Sequence, residues 1–243
     1  MGFQKESLDL VLVPCGLILM FVYHVVLLYR YLKYPETTVL GFENHTKRAW
    51  VERVMELDDV SNMDQPLSTI SSNTSTATYF ASISLTLSSL IGAWIASNNS
   101  IFESDLIYGD TSSSTLMFKY ISLLICFLLA FFCFVQATRC FINASYLISM
   151  PNCNTPIYYV EVAVIRGGEF WQIGLRALYF ALNLLLWFFG PIPMFVASVF
   201  MVALLHHLDS NSTPLHQFQP LCKPRGERLI SNTRVATQVE HYV

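Results

Sequence analysis

Two arginines at the ends of long apolar runs carry much of the chemistry this sequence can offer. Arg139 follows one run, with Gln136, Asn143 and Tyr146 at spacings of three, four and three that place all four on one helix face. Arg176 opens another run, with Asn183 seven residues on and Trp187 one turn further, again on one face. Buried polar groups in lipid must find partners, so two such stripes are expected to meet. They form either an interhelical hydrogen-bond cluster or a ligand-binding pocket for an anion or a lipid headgroup, with Arg139, Arg176, Asn143 and Asn183 as its residues.

The remaining reactive side chains do not converge into a catalytic pattern. His24, beside Tyr23, lies within an apolar run and is an ionisable group at membrane depth. His206, His207 and Asp209 end the last run, but adjacent histidines point about 100° apart on a helix, which suits an interfacial cap. Cys126, Cys133 and Cys140 recur every seven residues and read as small apolar packing on one face. No catalytic residue, metal or cofactor is assigned on this basis.

The elements that must position these residues are membrane helices. The chain has 243 residues, 53% hydrophobic and 13% charged, a balance that would leave a soluble domain with large exposed apolar patches. Four apolar runs, at about Leu8–Tyr31, Thr78–Ala96, Phe118–Thr138 and Ala177–Leu205, are each long enough to cross a hydrocarbon core of about 30 Å. The expected fold class is all-α, a polytopic membrane bundle of four transmembrane helices over 1–209, with the first run a retained signal anchor. Residues 210–243 read as a polar, disordered tail. The net charge of −3 argues against nucleic acid as a partner.

Between the runs, Thr46–Leu57 patterns as a short amphipathic helix, with Trp50, Val54 and Leu57 on one side and Lys47, Arg48, Glu52 and Glu56 on the other. Ser61–Thr78 reads as a loop or weak helix. The second run carries a ridge of small residues, Ser84, Ser88, Gly92 and Ala96, that lets a neighbouring helix approach closely. Gly190-Pro191-Ile192-Pro193 is expected to kink the fourth run.

Arg30, Lys33, Lys47, Arg48 and Arg53 follow the first run, whereas Ser97–Met117 has no Lys or Arg. The basic connections therefore face the cytoplasm, and with four crossings both termini lie on the opposite side. Of the five Asn-x-Ser/Thr sequons, only Asn98 and Asn211 would then reach the glycosylating side.

Several stretches together resemble the plant branch of the domain-of-unknown-function 599 family. They are Asn44 with Arg48–Val51, Tyr158–Phe170 with Gly167, Leu175-Arg176, the run Leu185–Pro191, and Leu208-Asp209. The resemblance implies a multi-span membrane protein and brings no activity or substrate. The family often carries an Arg before the second span, where this chain reads Ser71-Ser72-Asn73. Three functions compete on these grounds. The expected one is a non-enzymatic scaffold or assembly protein, partnered by the lipid bilayer, by copies of itself or by other membrane proteins. The alternatives are a small oligomeric transporter, channel or anion-binding protein, and an intramembrane enzyme built on His24, His206, His207 and Asp209. The setting is a plasma membrane or endomembrane.

Overall fold

A computed structural model describes residues 5–56, 63–96, 113–150 and 156–213. The described residues are all-helical: α1 (Lys5–Lys33), α2 (Val39–Glu56), α3 (Asp64–Ala96), α4 (Ser113–Ser149), α5 (Ile157–Leu186) and α6 (Pro191–Asp209). Two 3₁₀ turns, Pro35–Thr37 and Trp187–Phe189, connect α1 to α2 and α5 to α6. Asn98, Leu57, most of the Ser97–Met117 connection and the tail beyond residue 213 lie outside the described residues.

Among the described residues five helices, not four, are long and apolar enough to cross a membrane. The expected single run at Ala177–Leu205 is two helices, because Gly190 adopts a φ of 135° that a side-chain-bearing residue rarely takes. Pro191 then starts α6, where its missing N–H costs nothing. The chain reverses here instead of kinking. Arg176 meets Asp209 across the reversal, so α6 folds back along α5.

The correction alters the disposition of the ends. Thr38 and Ser210 form an isolated antiparallel bridge, and Asn211 N–H donates to the Thr37 carbonyl at 3.0 Å. The end of α6 is therefore at the basic end of the bundle, beside Arg30 and Lys33. The start of α1 lies at the other end, where Asp9 meets Trp187. The two ends of the described chain thus occupy opposite ends of the bundle, and Asn211 sits with the basic connection.

At the centre is α4. Its buried positions, Leu123, Phe127, Ala130, Phe134, Ala137, Phe141, Ala144 and Ile148, alternate steps of four and three. That 3.5-residue period keeps one seam facing its neighbours at a shallow crossing angle. α3 packs on one side of it and α5 on the other. The phenylalanines fit because α5 offers glycines beneath them: a Cβ on Gly167 would come within 2.6 Å of the Phe141 ring, and one on Gly174 within 2.9 Å of Phe134.

α3 begins at Asp64, so most of the stretch expected as a loop or weak helix is helix. Its hydroxyls do not compete with the helix, because they donate to carbonyls one turn back, as Thr74 does to Ile70 and Thr78 to Thr74. The small-residue ridge has a different register from the one expected. Ala77, Ala81, Ser84, Ser88 and Ile91 are buried, whereas Gly92 faces outward with open space around it. A strict four-residue step drifts off a 3.6-residue helix face, and alternating steps of four and three do not.

The short amphipathic helix expected at Thr46–Leu57 is the second half of α2. Val51 and Val54 are buried in one core cluster with Ile148, Val160 and Val164, and Trp50 packs against that cluster. Arg48 pairs with Glu161 of α5 at 2.7 Å.

Gly167→Leu is expected to cost about 1–3 kcal/mol by overpacking the Phe141 contact. Gly92→Leu is expected to be tolerated. Unfolding in detergent micelles separates the two, and equal sensitivity would contradict the seam.

Candidate functional site

The seam between α1, α5 and α6 gathers polar side chains along the length of the bundle. α1 and α6 run parallel, and α5 runs antiparallel to both, so residues late in α1 meet residues early in α5. One face of α5 carries Arg176, Phe180 and Asn183 at helical spacing, Trp187 follows them in the 3₁₀ turn, and α1 answers with Tyr23, His24 and Asp9.

Asp209, the last residue of α6, organises the basic end. Its Oδ1 accepts from Arg176 Nη2 at 2.8 Å, and its Oδ2 accepts from Arg176 Nη1 at 3.0 Å and from the Tyr23 hydroxyl at 2.7 Å. The two charged side chains are each only 18% exposed. A bidentate guanidinium–carboxylate pair is among the stronger polar contacts available, and the tyrosine occupies a further acceptor site. About two turns nearer the C-terminal end of α1, Tyr31 donates to Glu169 Oε1 at 2.7 Å and accepts from Asn44 Nδ2 at 3.0 Å.

These pairs wall a chamber of about 350 Å³. Leu27, Leu28 and Ile173 supply its apolar surface, and His24, Glu169 and Gln172 line it with the Arg176–Asp209 pair. That volume lies in the range of small-molecule sites. His24 Nδ1 is 2.7 Å from the Met20 carbonyl. A carbonyl only accepts, so Nδ1 carries the proton and Nε2 is left as the acceptor. Nε2 is buried and has no partner.

Deeper in the seam, Asn183 is 1% exposed and neither its amide oxygen nor its nitrogen is hydrogen-bonded. At the far end, Trp187 Nε1 donates to Asp9 Oδ1 at 3.0 Å, and Lys119 Nζ lies 5.1 Å over the same indole. Asp9 and Lys119 are both buried, and each has a charged group against the Trp187 indole.

The four residues expected as one pocket are divided. Arg176 is taken by Asp209, and Asn183 lies deeper on the same helix face. Arg139 and Asn143 line a different groove, between α4 and α5, opposite Arg166. The reason is angular: ten residues separate Arg166 from Arg176, which turns the second about 80° away from the first on a helix. From the sequence, Arg166 is one of the basic residues after the third run and Glu169 a counter-charge for Arg139 and Arg176; Arg166 facing Arg139 and the Tyr31 link to Glu169 and Asn44 were not anticipated. The Arg176–Asp209 pair had a signal: once Gly190-Pro191 is read as a reversal, a lone acid at the end of α6 returns toward a lone base in α5. His206 and His207 do not join His24. Among the described residues no three His, Cys, Asp or Glu side chains are grouped to hold a metal ion.

A family model described as protein of unknown function, DUF599, matches residues 11–214. The chain belongs to this family. The matched residues of this DUF599 chain include every member of the seam except Asp9. No curated protein and no solved structure matches the chain.

Asp209→Asn is expected to destabilise the protein by about 3 kcal/mol, because it leaves the Arg176 guanidinium unpaired. Tyr23→Phe removes one hydrogen bond and is expected to cost about 1 kcal/mol. Replacing Arg176 and Asp209 together by leucine should recover much of the loss. Strict additivity in that double-mutant cycle would show that the pair is not coupled.

Proposed function

We propose that this DUF599 protein is a five-crossing, non-enzymatic membrane protein of the plasma membrane or an endomembrane that recognises a small amphiphilic amine in the seam chamber. One observation carries the reading: the chamber has an acidic excess. Glu169 and Asp209 face a single cation, Arg176, among the lining residues, which leaves one net negative charge beside an imidazole able to accept a hydrogen bond. Leu27, Leu28 and Ile173 suit the apolar body of such a ligand. Nucleic acid is not among the partners proposed.

The orientation follows from the basic end. Arg30, Lys33, Lys47, Arg48, Arg139 and Arg166 lie there, and in this reading it faces the cytoplasm. Five crossings then leave the end of α6, at Asp209, on that same side.

A second reading, assembly with itself or with other membrane proteins, is favoured by α3. Its principal packing partner is α4, and it leaves Ser72, Thr76, Tyr79, Ser82 and Thr86 exposed along one side. The mass of the reconstituted particle decides whether more than one copy is present.

Two measurements test the main reading. Single cysteines at Ser212 and Ser114, in a cysteine-free background in sealed vesicles, should be labelled from opposite sides. Labelling from one side would end the five-crossing topology. In nanodiscs, small hydrophobic amines should raise the unfolding temperature of the protein, and Leu27→Trp, which fills the chamber, should abolish the shift. Shifts that persist in Leu27→Trp would place binding elsewhere.

A further inference from the structure

A second cavity differs in charge and position. A groove of about 760 Å³ runs between α4 and α5, lined by Arg139, Asn143 and Tyr146 on one side and Tyr159 and Arg166 on the other. It has no carboxylate in its lining. The acids nearby on α5 are engaged elsewhere, Glu161 by Arg48 and Glu169 by Tyr31. Among the described residues, neither Arg139 nor Arg166 makes an ion pair, and both are exposed. Arg139 and Arg166 both line this one groove, so the two guanidinium groups flank the same space.

The depth of the groove points to its occupant. At the opposite end of the seam the Tyr120 and Phe188 rings are 5.0 Å apart. Arg139 lies roughly 30 Å along α4 from that contact, and Arg166 lies roughly 30 Å along α5 from it. That distance matches the thickness of a bilayer hydrocarbon core, so in the five-crossing reading, with the Tyr120–Phe188 contact at one face of the core, both arginines reach the level of headgroup phosphates at the other. Tyr146 and Tyr159, 66% and 58% exposed, are the side chains favoured at that level. Two like charges held beside one groove repel unless an anion lies between them.

We propose that this groove binds the phosphate of an anionic phospholipid, with Arg139 and Arg166 as its two cationic donors and Asn143 as a further amide donor. A guanidinium offers paired N–H groups that match phosphate oxygens, and two of them at headgroup level select a phosphate with little competing zwitterionic charge. The site is separate from the seam chamber and does not depend on it.

The test uses the full chain, purified and reconstituted in phosphatidylcholine nanodiscs with and without dioleoyl phosphatidic acid. Native mass spectrometry after release should show phosphatidic acid retained in preference to phosphatidylcholine. Arg139→Gln and Arg166→Gln should each lower that retention by about tenfold, as expected for loss of a charged hydrogen-bond donor. Both side chains are exposed, so helical content and the unfolding temperature in pure phosphatidylcholine should be unchanged. Millimolar inorganic phosphate added to pure phosphatidylcholine discs provides the second arm. If it stabilises the wild type as well as phosphatidic acid does, and fails with both variants, the phosphate site stands and the lipid source is overturned. Equal retention of phosphatidic acid by the wild type and both variants would overturn the site itself. An Arg139→Gln, Arg166→Gln double variant that keeps its amine-induced shift would show that the seam chamber is intact whichever way this test falls.

Discussion

The arrangement of α1, α5 and α6 depends on one carboxylate, that of Asp209. α6 is apolar around most of its circumference, and lipid solvates such a helix as well as a protein neighbour does. Burial of apolar area therefore gives α6 little reason to choose a position. The polar groups choose it. Asp209 takes two donors from Arg176 and one from Tyr23, and so ties the end of α6 to both α5 and α1. Next to it, the Thr38–Ser210 bridge and the Asn211 contacts close the same corner through the backbone. Gly16 of α1 completes the seam by allowing close approach: a Cβ there would lie 3.0 Å from the Ser198 hydroxyl.

The rest of the bundle is held by shape. Tyr120, Phe127, Phe134 and Phe141 of α4 recur every seven residues and meet small or aromatic positions of α5, with Trp171 wedged edge-on against Phe134 and Phe80. Such pairs contribute through dispersion and ring electrostatics, the attractions that remain when apolar burial is no longer a driving force between helices. α3 joins this seam despite its many hydroxyls because each described one that faces lipid can donate to its own backbone. Thr76, Ser82, Thr86 and Ser89 do so within 3.0 Å. A hydroxyl can be satisfied within its own helix in this way, whereas a carboxamide such as Asn183 cannot satisfy all its groups so easily.

Hydropathy made α1 and α4 legible, since each is an apolar run bounded by charge or amide. It failed where composition and conformation part company. The first half of α3 is written in Ser, Thr and Asn, residues that suit loops, and it is helical because tertiary packing of Ile70 and Ala77 against α4 outweighs propensity. The first half of α5 carries Glu161, Arg166 and Glu169, which hid its helix from a hydropathy window although Gly167 and Val164 pack in the core. Ala177–Leu205 merged two helices, and its length held the warning. A helix of that many residues is about 43 Å long, well beyond the hydrocarbon thickness. The polar stripes on α4 and α5 were legible as stripes. Their partners were not, because an angular offset between Arg166 and Arg176 decides which one faces Arg139, and no spacing within a single helix reveals how its neighbour is rotated.

Arg139, Arg166 and Arg176 show how position separates two uses of one side chain. Arg176 leaves its helix some 15 Å along α5 from Arg166, and its guanidinium meets Asp209 at the end of α6. There its charge is neutralised and its donors are spent on holding helices together. Arg139 and Arg166 are exposed, so their charges need no internal carboxylate to be tolerated. The sequence supplies one acid at the end of α6, and the reversal at Gly190 delivers it to α5 on the side away from α4. The α4–α5 groove is left basic by the same turn that makes the α1–α5–α6 seam neutral at its ion pair, which is why the two cavities at one end of the bundle differ in charge.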